Sequence, residues 1–151
     1  MAHRLVVLEW LYKADQDFGF AKDSLEKENL PYFDQICWLL HQAAEKYLKA
    51  YIVRFDLEFR KEHDLEKLLE ICMTHDVDLD KLKEGCRLLT PFYFETRYPG
   101  ESRRVSRKEA ELMLEETRGI QSLVREKLGI EGEVSQEDLE EEDKKVEEEL
   151  E

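Results

Sequence analysis

Residues 32–55 read YFDQICWLLHQAAEKYLKAYIVRF. One apolar stripe, Phe33, Cys37, Leu40, Ala44, Leu48, Tyr51 and Phe55, steps by three and four. A second stripe, Ile36, Leu39, Ala43, Tyr47 and Ala50, runs beside it. This is the period of an α-helix, and two apolar faces mean a helix covered on both sides. Such a helix is either central in its own bundle or shared with another subunit. At about 1.5 Å per residue it is roughly 36 Å long.

The flanking sequence keeps the same period. From about Leu5 to Lys27, Val7, Trp10/Leu11, Ala14, Phe18, Ala21 and Leu25 form a stripe, and Asp15, Lys22, Asp23 and Lys27 are placed elsewhere on the helix. Asn29, Leu30 and Pro31 break it. A short segment, about Asp64 to Thr74, carries Leu65, Leu68, Leu69, Cys72 and Met73, with Asp64 as N-cap. A fourth starts near Asp78 or Asp80 and carries Leu79, Leu82, Cys86 and Leu89 toward Pro91. A fifth opens on Ser106 with Glu109 three residues on, the spacing of a capping box, and ends at Gly129. No stretch alternates with period two. The expectation is an all-α, antiparallel up-and-down bundle of four long helices plus a short one.

Charge divides the chain. Residues 131–151 hold twelve acids and two lysines, net -10, which leaves -4 of the total -14 for residues 1–130. The domain reading is therefore a bundle over 1–130 and an acidic tail over 131–151. With three apolar residues, Leu139, Val146 and Leu150, in its last seventeen, the tail is read as disordered or marginal helix. Cys37, Cys72 and Cys86 are an odd set with no metal-ligand spacing, and read as reduced core thiols. No apolar run approaches the roughly 18 residues of a membrane span, and charged residues appear within the first ten positions, unlike a signal peptide. The expected setting is cytoplasmic.

Three groups of residues carry possible chemistry. Residues 96–108, TRYPGESRRVSRK, set Arg97, Arg103, Arg104, Arg107 and Lys108 against Glu101, net +4, in a turn ahead of a helix start. Guanidinium forks and helix-start amides bind phosphate, and Tyr93 and Tyr98 offer rings for a base. A solvated loop with arginines paired to local acids explains the same residues. His63, between Glu62 and Asp64, can titrate near neutral pH or simply hold the chain where a helix begins. His41 and Glu45 lie four apart, but the repeated Glu-x-x-His pairs of di-iron bundles do not occur. No metal site and no cofactor is expected.

Three ordered stretches carry a family resemblance: Trp10-x3-Ala14-x2-Asp17-x3-Ala21, HQAAEKYLKA over 41–50, and Glu62-His63-Asp64-Leu65 followed by Leu68-Leu69 and the later Thr96-Arg97-Tyr98-Pro99. In this order they resemble the HEPN domain (higher eukaryotes and prokaryotes nucleotide-binding) over about residues 5–128. The resemblance implies a helical bundle, usually a homodimer, that acts around nucleotides or RNA. It also implies a minimal nucleotidyltransferase as partner, in a toxin–antitoxin or nucleotide-transfer pair. Nucleotide- or RNA-binding residues are then expected among Arg97, Tyr98, Arg103, Arg104, Arg107, His63 and Asp64. One branch of the family consists of metal-independent RNases with Arg, four to six residues, then His. Here Arg60 and His63 have two residues between them, and Arg54 and His63 have eight. A metal-independent RNase with a variant site built on His63 and an arginine, and a purely structural dimerisation module, stand as the alternatives.

Overall fold

The computed structural model describes residues 2–29, 31–95 and 104–151. Three helices exceed twenty residues: α1 (Ala2–Glu26), α2 (Phe33–Arg54) and α6 (Arg107–Leu128). Around them stand α3 (Leu65–Met73), a 3-10 helix (Val77–Leu82), α4 (Lys83–Leu89), the single turn α5 (Phe92–Glu95) and α7 (Gln136–Leu150). There is no strand among the described residues, so the class is all-α.

α2 is the axis. It packs against α1, α3, α4, α5 and α6, and buries both predicted stripes, with Cys37, Leu40, Ala44 and Leu48 on one and Ile36, Ala43, Tyr47 and Ala50 on the other. Of the two readings open for a double-faced helix, the chain itself supplies the cover.

The place of a fourth long helix is taken by two short pieces. Asp76 accepts a hydrogen bond from the Asp78 amide at 2.9 Å, and the chain runs as a 3-10 helix before α4 starts at Lys83. Short acids that bond to the local backbone compete with the α-helical ladder. α4 then ends at Leu89, two residues before Pro91, which has no amide hydrogen to continue the helical ladder. At Gly85 α4 passes so close to α6 that an added Cβ would meet Glu116 Oε2 at 3.0 Å.

The predicted caps hold where they are described. The Asp64 carboxylate accepts from the amides of Glu66 and Lys67, and Ser106 Oγ accepts from the Glu109 amide. Gly129 ends α6 with φ +67°, the left-handed conformation that favours glycine. The acidic tail is helical: a Ser135/Asp138 capping box starts α7, which lies against α1 with Glu142 buried and Leu139 packed on the core.

Asp15 corrects the sequence reading. It is not on the solvated side of α1 but is 7% exposed. Positions 8, 11, 15 and 18 step by three and four, so Asp15 occupies the stripe formed by Leu8, Leu11 and Phe18. There its carboxylate accepts from Tyr47 Oη at 2.5 Å, the Val134 amide at 3.1 Å and Gln121 Nε2 at 3.4 Å, and pairs with Arg125. One buried charge thus joins α1, α2, α6 and the segment leading into α7. Burial, and then the adjacent Asp15 carboxylate, push the Tyr47 hydroxyl well above the ordinary tyrosine range. The Asp15–Arg125 pair also floors an open recess of about 650 Å³ between α1 and α6.

Candidate functional site

His41, Glu45 and Lys49 recur every four residues on α2 and therefore share one side of it. All three are buried, at 0%, 4% and 7% exposure. A charged group at that depth needs a partner, and the chain supplies two to Glu45. Lys49 Nζ donates to Glu45 Oε2 at 3.0 Å. His63 Nδ1 lies 2.9 Å from Glu45 Oε1.

The path from α2 to α3 explains how His63 arrives there. α2 ends at Arg54, and Asp56 takes φ +55°, a left-handed turn that aspartate tolerates. The Leu57 amide donates back to the Ile52 carbonyl at 2.9 Å, and the chain then runs without helix to the Asp64 cap. Glu45 sits about 14 Å below Arg54 along α2 at about 1.5 Å per residue. Six residues of open chain cover that distance easily at about 3.3 Å each. Glu62 Oε1 accepts from the amides of His63 and Asp64 at 3.1 Å, fixing the backbone at this point. Those bonds, that from Asp64 first, hold the Glu62 carboxyl below the usual range.

The His63 ring is stacked on Tyr93 of α5, with centroids 4.7 Å apart and planes at 13°. The His41 ring lies 5.4 Å from the same Tyr93 ring, tilted by 45°. His41 Nδ1 is 3.1 Å from Gln42 Oε1, and burial lowers its pKa, so the ring is neutral at physiological pH. Lys49 Nζ lies 5.5 Å from the Trp10 ring and 6.0 Å from the Phe59 ring, a partly aromatic lining for a buried ammonium.

A carboxylate on one imidazole nitrogen requires that nitrogen to carry a proton, which leaves the other as acceptor or base. Glu45 therefore sets the Nδ1–H tautomer of His63, and the side chain is 50% exposed, so solvent and solutes reach the ring. The arrangement can hold an anion when the imidazole is charged, or accept a proton from a hydroxyl when it is neutral. Among the described residues no cluster of three or more His, Cys, Asp or Glu is placed to hold a metal ion.

The residues marked from sequence fall into three sets. His63 is at the centre of the site. Asp64 and Arg107 serve the fold: Asp64 caps α3, and Arg107 donates to the Leu25 and Lys27 carbonyls at the end of α1 and stands 5.1 Å over the Phe33 ring. Arg104 is exposed. Arg97, Tyr98 and Arg103 lie outside the described residues. Sequence reasoning did not assign Glu45 to His63. The signal was present, since a lone acid inside a doubly apolar helix needs a cation or a donor from elsewhere in the chain.

Three sequence stretches meet at this place. Trp10 and Asp17 of α1 contact Lys49 and Lys46 of α2, the latter at 2.5 Å, and Glu45 of α2 contacts His63. These residues belong to the stretches that carried the resemblance, of which 96–99 lies outside the described residues, and the sequence model of the HEPN domain matches residues 7–127. The chain belongs to the HEPN family. The HEPN fold here is similar to the crystal structure of TT1696 from Thermus thermophilus, with a TM-score of 0.71 and 30% identity over 80% of this chain and 97% of that one. No curated protein matches the sequence. The HEPN match stops short of α7, which follows it in the chain. No described helix is long and apolar enough to cross a membrane.

Proposed function

We propose that this HEPN domain binds nucleotide or RNA through the face built on His63. The observation that carries the reading is the His63 ring, oriented by Glu45 and stacked on Tyr93 while half exposed. Such a ring offers a flat surface on which a base can stack. Arg97, Arg103 and Arg104, which follow α5 in the sequence, supply the positive charge that phosphate needs.

In this reading the domain acts with a nucleotidyltransferase partner, as a toxin–antitoxin or nucleotide-transfer pair, and as a homodimer. The surface that suits self-association is the outer side of α1. Val6 is 40% exposed there, and the half-buried Trp10 lies 6.1 Å from Phe59, itself 50% exposed. α7 leaves that surface open. Leu8, on its side of α1, and Trp10 point about 200° apart around the helix at about 100° per residue.

The test is binding of mononucleotides and short RNA by the purified chain in EDTA, at two salt concentrations, with RNA integrity followed on a gel. Binding that weakens with salt and is lost in His63→Ala supports the reading; no binding at either salt concentration overturns it. A second reading, a metal-independent RNase, draws on the same Glu45–His63 pair, because a carboxylate-oriented imidazole is the usual form of a general base. Metal-independent cleavage that disappears in His63→Ala would establish it, and intact RNA would exclude it.

A further inference from the structure

A separate recess of about 310 Å³ lies where the first turns of α1 meet the last turns of α2 and α6, lined by His3, Arg4, Val7, Arg54, Leu128 and Ile130. It shares no residue with the His63 face. Its floor is apolar: Val7 is buried, and Leu128 and Ile130 pack on the core. Its rim is two guanidiniums and a histidine, with no carboxylate among the lining residues. That composition stands out in a chain with 37 acids against 23 lysines and arginines.

The cationic groups are held in place but not used up. His3 Nε2 donates to the Val53 carbonyl and so ties the start of α1 to the end of α2. The Arg54 guanidinium lies 4.9 Å from the Phe55 ring and makes no ion pair among the described residues. Arg4 Nε is 3.6 Å from Glu142 Oε2 of α7. A well-formed charged hydrogen bond is about 2.8 Å, so this contact is loose.

We propose that this recess binds a small organic anion. A carboxylate or phosphate monoester lies between Arg4 and Arg54, and an apolar body of a few carbons covers Val7, Leu128 and Ile130. The volume equals about ten waters at about 30 Å³ each, which sets the ligand at about that many non-hydrogen atoms. Guanidinium forks recognise either head group. Glu142 is a built-in competitor, because it holds Arg4 from the other side.

The experiment titrates the full chain with hexanoate, hexyl phosphate, inorganic phosphate and hexanol, read by amide chemical shifts and calorimetry at low salt. The expected result is saturable one-site binding of hexanoate or hexyl phosphate, with shifts at Val7, Leu128 and Ile130. Inorganic phosphate and hexanol each bind at least tenfold more weakly. The preferred head group then distinguishes an acyl from a phosphoryl ligand. Arg54→Gln and Arg4→Gln weaken binding at least tenfold, and Glu142→Gln strengthens it severalfold by releasing Arg4. Arg87→Gln removes the same charge from an exposed site paired with Glu84 and changes nothing. Circular dichroism confirms that each variant is folded. Equal effects of Arg54→Gln and Arg87→Gln, equal affinity for hexanol, or no saturable binding would overturn the proposal.

Discussion

Glu45 and His63, eighteen residues apart in sequence, are joined at 2.9 Å between a carboxylate oxygen that is buried and an imidazole that is half exposed. The pair connects the interior of the bundle to its surface. Glu45 also holds Lys49, so one carboxylate serves an ammonium inside and an imidazole outside.

This double use makes Glu45→Gln costly. The change removes the counter-charge of Lys49, an amine that is 8% exposed, and leaves a buried cation. Breaking such a pair costs about 3–5 kcal/mol. Adding Lys49→Met to Glu45→Gln removes the orphaned charge and recovers most of that loss. Urea unfolding of the two single variants and the double variant measures both quantities. Additive losses in the double variant would show that the two side chains act independently.

His41 gives the bundle an acid sensitivity. Burial lowers its pKa from the ordinary value of 6.5, so between that lowered value and 6.5 the unfolded chain binds more protons than the folded one. Stability therefore rises with pH across this window and falls as pH drops through it, by at most about 1.4 kcal/mol per pH unit for one proton. Unfolding free energies from pH 8 to pH 5 should show this slope in the native chain. His41→Gln should flatten it by the contribution of one site.

The helices, the caps at Asp64 and Ser106 and the stop at Gly129 were legible because each depends on residues within a turn of one another. The Glu45–His63 pair was not, because it depends on how a non-helical segment returns along α2. The sequence placed both residues in notable stretches and left them unconnected. Asp15 was misread for a related reason: its charge outweighed its position in the apolar stripe, and its partners Tyr47, Gln121, Arg125 and Val134 come from three distant parts of the chain. The division of the expected fourth helix turned on competition between aspartate side chains and the helical ladder, which periodicity does not register.

Asp15→Asn should loosen α7 before it unfolds the bundle. An amide keeps the shape but loses the charge that Arg125 faces, and it offers one acceptor oxygen where the carboxylate offered two. The Val134 amide, 3.1 Å from Asp15 Oδ2, precedes α7 directly. Hydrogen exchange of residues 134–150 should accelerate at least tenfold more than that of α2. A uniform rise over all helices would mean that the pair stabilises the whole bundle and does not act as a latch.

The thiols should be inert in the folded chain. Cys72 and Cys86 are buried, which pushes both up to about 12, and Cys37 is fully buried as well. Only the thiolate reacts. Iodoacetamide at pH 8 should label all three at the rate of unfolding, and labelling should accelerate sharply near the urea midpoint. Fast modification of the folded chain at any one site would contradict the packing around it.

Tyr93→Leu separates stacking from folding. The tyrosine ring contacts both His63 and His41, and leucine keeps apolar bulk at that position while removing the flat surface. A base stacked on an aromatic side chain is worth about 1–3 kcal/mol, or roughly 5- to 150-fold in affinity. If nucleotide or RNA lies against the His63–Tyr93 face, Tyr93→Leu should lower affinity within that range. Tyr93→Phe should retain it, since the ring and not the hydroxyl makes the stack. His63→Ala should give a loss of similar size. An unchanged affinity in Tyr93→Leu would remove this face from consideration and leave Arg104 and the arginines before it as the binding determinant.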